Sequence, residues 1–219
     1  PYFLSSWYVV MHDVDIWNSM GYRPISPTVA GSGWTFNPGA FQVGPPLSQW
    51  VAEGTTDPLE AHEIIAVPSE TPSAPYPDNQ PQGHLRVLAR VTEVGPGRWR
   101  YSYAVMNFDF SRGIDQVELP LPSSGELFET FFQSPEYDGT VGLDWTVSRE
   151  GDILRFENPG GNALRWYSLF NFEFETDIPP LRGSMQLQTA DGGVPVILTA
   201  EVPVAGFTED LFANGFETP

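Results

Sequence analysis

Residues 84–105 alternate between apolar and polar positions on both sides of a turn. Leu85, Val87, Ala89 and Val91 alternate with Arg86, Leu88, Arg90 and Thr92. After Gly95-Pro96-Gly97, Trp99, Tyr101, Tyr103 and Val105 alternate with Arg98, Arg100, Ser102 and Ala104. A period of two around a glycine-rich turn predicts a β-hairpin. The same period runs from Ala163 to Glu175, with Leu164, Trp166, Phe170, Phe172 and Phe174 on one face. Arg165, Tyr167, Asn171, Glu173 and Glu175 fall on the other. That strand has one core face and one wet face. Shorter strands are expected at 116–119 and 126–132. Further hairpins are expected at 143–157, around Glu150-Gly151-Asp152, and at 184–202, around Asp191-Gly192-Gly193. Turns at roughly ten-residue spacing with almost no helix predict an all-β, antiparallel β-sandwich of the immunoglobulin or fibronectin kind.

The first 83 residues read differently. Tyr2 to Val10 is aromatic and β-branched and predicts a strand. Residues 11–56, with Asn37-Pro38-Gly39 and Gly44-Pro45-Pro46, read as an irregular arm. Asp57-Pro58-Leu59-Glu60 has an N-cap, a proline at the first helical position and a glutamate three after the cap. That pattern predicts one short helix ending near Ala66. Five prolines between 68 and 81 mark an extended loop. The expected organisation is an N-terminal strand, arm, helix and loop (1–83), the sandwich (84–205) and an aromatic, acidic tail (206–219).

The chain of 219 residues is long enough to bury a core without disulfides. It has 28 acids against 10 bases, a formal charge of −18, and every base is an arginine. Such a surface repels phosphate backbones and anionic lipid, so nucleic acid is not an expected partner. With no cysteine, the chain has no thiolate chemistry, no cysteine-held zinc and no disulfide. No run approaches the ~18 apolar residues of a membrane helix, so no membrane insertion is expected. The absence of a leader before Pro1 is read as processing of an exported precursor, giving a secreted, extracellular or cell-surface location.

Two stretches carry a family resemblance. Arg98–Gly113 (RWRYSYAVMNFDFSRG) and Gly161–Pro179 (GNALRWYSLFNFEFETDIP), with Tyr137-Asp138-Gly139-Thr140 between them, resemble the C-terminal β-rich half of a family of large secreted bacterial proteins. The resemblance covers about 84–202, implies a β-sandwich and carries no catalytic residue. This chain has Gln133-Ser134-Pro135-Glu136 where the family pattern has His-Asp-Val-Asp, so the resemblance implies no metal role there. Separately, Asp210–Glu217 (DLFANGFE) resembles a short C-terminal signature on exported proteins of Lysobacter-like gammaproteobacteria, which implies export.

Candidate chemistry is sparse. Asp13, Asp15 and Asn18 offer oxygen ligands of the kind calcium takes, but without an EF-hand glycine or a bidentate glutamate; no other cofactor is indicated. His12, His62 and His84 are scattered, whereas zinc needs clustered ligands. There is no nucleophile elbow. Carboxylate pairs such as Glu173 and Glu175 are abundant by number alone, and their natural partners are Arg86, Arg90, Arg98 and Arg100 across strands. Trp17, Trp34, Trp50, Tyr76 and Trp145 lie in or near expected loops, where an exposed ring can stack on a sugar; buried, the same rings pin backbone. In the tail, Phe207, Leu211, Phe212 and Phe216 are candidate contact residues. The expected function is therefore an extracellular structural or interaction module. Its partners would be a second copy or another chain of the same secreted assembly. A carbohydrate-binding module with a polysaccharide partner is the first alternative, and a secreted hydrolase the second.

Overall fold

The computed structural model describes residues 2–8, 17–76, 78–135, 144–190 and 196–206. The chain divides into two compact units, 1–52 and 53–219.

The first unit is a small antiparallel sheet. It comprises β1 (Tyr2–Trp7), β2 (Met20–Ala30), β3 (Gly33–Pro38) and β4 (Gln42–Val43), followed by a 3₁₀ turn at Pro46–Gln49. β2 is central: β1 pairs with it on one side, and β3 and β4 pair with it in succession. The region expected to be an irregular arm is therefore mostly strand. Its prolines sit where the ladder tolerates a missing N–H. Pro27 lies beyond the end of the β1 pairing at Ile25, and Pro24 faces the gap between the β3 and β4 pairings. Gly31, with φ of +61°, makes the tight β2–β3 turn that a side chain would strain.

The second unit is a sandwich. One sheet has the order β5 (Glu60–Val67), β6 (Gly83–Gly95), β7 (Arg98–Asn107), β12 (Ser168–Thr176), β9 (Leu127–Gln133). The other has the order β10 (Thr146–Glu150), β11 (Ile153–Glu157), β8 (Ile114–Pro120), β13 (Pro180–Thr189), β14 (Ile197–Ala205). Every pairing is antiparallel. The buried core joins Leu85, Val87, Tyr101, Tyr103, Phe172 and Phe174 from the first sheet with Val117, Leu119, Phe156, Leu187 and Val202 from the second. Burial of alternate side chains from two facing sheets is what fixes the register, since a one-residue slip would turn each apolar set outward.

The helix expected at 57–66 is absent: 60–67 is β5, the edge strand of the first sheet, paired with β6. The Asp57 carboxylate does accept the Leu59 N–H at 2.9 Å, but it caps a turn that leads into a strand. Ala61 and Val67 then bury against the core. A cap satisfies the same orphan N–H groups whichever element follows.

Candidate functional site

In a β-sheet, residues directly opposite each other share a face, as do residues two apart along a strand. The register of the N-terminal sheet sets Tyr2 opposite Ile25, Leu4 opposite Arg23, Gly21 opposite Val43, Pro27 opposite Phe36 and Val29 opposite Trp34. These residues form one face. The other face carries Phe3, Met20 and Tyr22 at its inner end and exposed Ser26, Thr28, Thr35 and Asn37 beyond them. Met20 and Tyr22 are buried, and the Tyr22 ring meets Phe3 edge-on at 5.6 Å. The Tyr22 hydroxyl donates to Gln42 Oε1 at 2.6 Å and accepts from Gln49 Nε2 at 2.7 Å.

The first face, the outer one, is apolar. Tyr2, Leu4, Val29, Trp34, Phe36, Phe41 and Val43 are each 55–69% exposed. The Phe41 ring lies over Gly21, where a β-carbon would collide with it, and the Arg23 guanidinium stands 6.0 Å from the ring centroid. Counting an aromatic side chain at ~150–250 Å² when fully exposed, this face leaves roughly 800 Å² of apolar surface in water. The largest apolar patch on an ordinary monomer is about 300–600 Å².

Charge sharpens the contrast. Residues 1–52 hold two carboxylates, Asp13 and Asp15, and one base, Arg23, for a net −1. The other 26 acids and nine arginines lie in 53–219, for a net −17. Arg23 is the single charged residue between 17 and 52. Elsewhere in this unit Phe3, Pro46, Leu47, Gln49 and Trp50 line a 230 Å³ recess, below the ~300 Å³ at which small-molecule pockets begin.

The carboxylates Glu173 and Glu175 lie on the outer face of the sandwich, beside Glu129 and Phe131 of β9, and line a 410 Å³ depression. The Glu175 carboxylate is buried and held by two arginines. Arg100 donates to its Oε1 through Nε at 2.8 Å and Nη2 at 2.6 Å, and Arg98 donates to Oε2. Burial pushes the Glu175 pKa up. Hydrogen bonds from Arg100 and Arg98 outweigh that and leave it below the ordinary glutamate value. A carboxylate held ionised in this way is no proton donor, and the arrangement is an ion-pair ladder across strands. Glu173 accepts from Ser102 Oγ at 2.6 Å. Of the expected arginine partners, Arg98 and Arg100 serve Glu175. Arg86 pairs with Glu53 and Arg90 with Glu60.

A group whose pKa is lower folded than unfolded contributes stability above its unfolded value and loses it as pH falls through the folded one. The stability difference between the native chain and Glu175→Gln is therefore expected to be full at pH 7. It should shrink as pH falls below ~4.3, the ordinary glutamate value. Thermal melts of both proteins between pH 7 and pH 3 check this; a constant difference would show that Glu175 gains nothing from its charge.

The remaining sequence candidates scatter. Trp145 is buried, donates its indole N–H to the Asn162 carbonyl at 2.7 Å and stacks on Phe132 at 5.5 Å, so it is a core residue and offers no sugar platform. Trp166, expected in the core, is exposed, because Tyr167 adopts a φ of +55° and breaks the alternation before β12 begins. Trp17 and Trp50 are half-buried, Tyr76 is exposed in the proline-rich loop, and Trp34 stands on the apolar face. Asn18 is exposed, while Asp13 and Asp15 lie outside the described residues, as do His12, Phe207, Leu211, Phe212 and Phe216. His62 Nε2 lies 2.8 Å from Arg86, and His84 Nδ1 lies 3.2 Å from Asp109. Among the described residues no three His, Cys, Asp or Glu side chains are grouped to hold a metal ion. No described helix is long and apolar enough to cross a membrane. Leu4, Val29, Phe36, Phe41 and Val43 were not candidates from the sequence. The signal they carried was an apolar stretch almost empty of charge.

No known protein family and no curated protein matches the chain. Among solved structures, two of a GH20 exo-β-N-acetylglucosaminidase from Vibrio harveyi, one an inactive mutant and one in complex with N-acetylglucosamine, are similar to it. Each has 12% identity and a TM-score of 0.37 over 57% of this chain. The matched part spans 19% of the enzyme's length, and a likeness of that degree carries no activity, substrate or residue role to this protein.

Proposed function

We propose that this chain is an interaction module of the bacterial cell exterior, part of a larger secreted or self-associating assembly, which docks through the outer face of its N-terminal sheet. The observation that carries this reading is the seven-residue apolar face on a nearly uncharged unit of an otherwise strongly acidic chain. Covering roughly 800 Å² of apolar surface is worth ~20 kcal/mol gross at ~25 cal/mol per Å². The ~4–15 kcal/mol cost of bringing two bodies together and the ordering of interface side chains offset most of it, and only the surplus appears as affinity. The acidic, lysine-free composition and the tail signature support an exported location.

A Trp34→Ser/Phe36→Ser protein tests the docking surface. Both side chains are exposed, so the melting curve is expected to stay within about 0.5 kcal/mol of native. Retention on a hydrophobic-interaction column and the fluorescence of a bound apolar dye are both expected to fall. Unchanged retention and dye signal would remove the reading.

The exposed pair Trp34 and Phe36, two apart on β3, also favours a carbohydrate-binding module, because adjacent rings on one strand face can stack on successive sugars. Co-sedimentation with insoluble neutral polysaccharide, lost in Trp34→Ser, is the result that reading requires.

A further inference from the structure

We infer that the partner of this face is a second copy of the chain, packed sheet on sheet about a two-fold axis; the inference rests on the docking reading above. The first ground is the pattern of β2. From Ile25 to Val29 its apolar positions Ile25, Pro27 and Val29 lie on the outer face and alternate with exposed Ser26 and Thr28, while Met20 and Tyr22 are buried nearer its start. An alternating strand buries its apolar face against a second layer, and the described residues supply no cover for this one. The second ground is area. A standard protein interface buries about 800 Å² on each partner, which is what the exposed face offers. The third is chemistry. Leu4, Val29 and Val43 interleave with the aromatics, and Arg23 is the face's single charged side chain. A sugar-binding surface needs polar groups beside its rings to take the hydroxyls, whereas a second apolar sheet needs none.

Charge then selects the contact. Two chains of formal charge −18 repel each other over most of their surface. The outer face is where they can meet without opposing carboxylates, because the described residues of the sheet hold none. A two-fold axis near Ile25, midway along the face, sets the two Arg23 side chains about 13 Å apart at ~3.3 Å per residue. That is beyond the ~8–10 Å Debye length at physiological salt. Screening the acidic surfaces therefore strengthens this association, the opposite of an interface built on ion pairs.

Sedimentation velocity of the full chain over a concentration series, at low and at physiological salt, tests the inference. The expected species has twice the 24.3 kDa chain mass and a dissociation constant that falls as salt is raised. Phe36→Glu, on the face opposite Pro27, should weaken association at least about tenfold. Phe131→Glu, exposed on the outer face of the sandwich, should leave it unchanged. Far-UV circular dichroism confirms that each variant is folded, and Val29→Glu replaces Phe36→Glu if that chain does not fold. A monomer at every concentration, a dimer indifferent to both face substitutions, or a dimer that salt dissociates would each overturn the inference. A monomer whose column retention still falls in Trp34→Ser/Phe36→Ser keeps the docking reading and removes the second copy. A monomer held on neutral polysaccharide makes the partner a glycan. Retention unchanged by the double substitution removes both.

Discussion

Phe172→Ala is expected to lower the unfolding free energy by about 3–5 kcal/mol, the range for losing a fully buried phenylalanine. Phe172 lies in β12, which has β7 on one side and β9 on the other. Its ring meets Phe132 at 5.4 Å, Trp145 at 5.2 Å and Phe156 at 5.3 Å. Phe132 comes from the same sheet and Phe156 from the opposite one, so the ring bridges the two layers. Removing it leaves a cavity walled by rings that belong to separate strands and cannot all close in. Phe131, the next residue after Thr130 on β9 and the neighbour of Phe132, points to the outer face opposite Glu173 and is exposed. Phe131→Ala is expected to change stability by no more than about 0.5 kcal/mol. Urea denaturation of both variants, with an unchanged slope against denaturant, measures the contrast. Equal costs for the two substitutions would mean that the sheets are not packed face to face through Phe172.

The sandwich was legible because most of its strand positions alternate. Leu85 to Val91 and Phe170 to Phe174 bury the positions that a period of two selects, although Arg86, Leu88 and Ala104 on the other side are buried as well. The misreadings have local causes. At 57–60 a cap pattern is common to helices and turns, and the element that follows is decided by pairing with β6, thirty residues away. Missing β5 also misplaced the arginines. Arg86 and Arg90 turn toward Glu53 and Glu60, which the helix reading did not place beside them. Trp166 was misassigned by carrying the alternation through Tyr167, whose left-handed backbone flips the faces. Trp145 precedes β10 and looks like a loop residue, yet burial depends on what packs over it, and Phe132 and Phe170 do.

The docking face was less legible. β3 does alternate, Trp34 and Phe36 with Thr35 and Asn37, and so does β2 from Ile25 to Val29, but these runs are short and carry Pro24, Pro27 and Pro38, which read as loop. Looking for tryptophans in loops found Trp34 by residue type but missed its neighbours on the face, because Leu4, Phe36 and Val43 become neighbours only through the register of three strand pairs. Charge counted segment by segment would have marked the region, since Arg23 stands alone between 17 and 52. A whole-chain charge of −18 hides that gap.

Asn107→Leu is expected to cost about 3–5 kcal/mol although it changes volume little. Asn107 ends β7 and is fully buried. Its Oδ1 accepts the Phe110 N–H at 3.0 Å, and its Nδ2 donates to the Phe110 carbonyl at 2.9 Å and the Leu164 carbonyl at 3.2 Å. One amide thus closes the turn after β7 and ties it to the segment that pairs with Ile114. Leucine fills the space but strips the Phe110 N–H and C=O of their partner at about 1–3 kcal/mol for each group left unsatisfied, while the Leu164 carbonyl keeps the Ile114 N–H at 3.0 Å. Asn171, on the outer face of β12 opposite Ala104, is the control: Asn171→Leu should fall within about 0.5 kcal/mol of native. Hydrogen exchange adds a local readout, because the Phe110 amide should lose protection in Asn107→Leu under conditions where Val105 keeps it. A native-like melt for Asn107→Leu would mean that water reaches this turn, and that the asparagine is not needed to hold the fold.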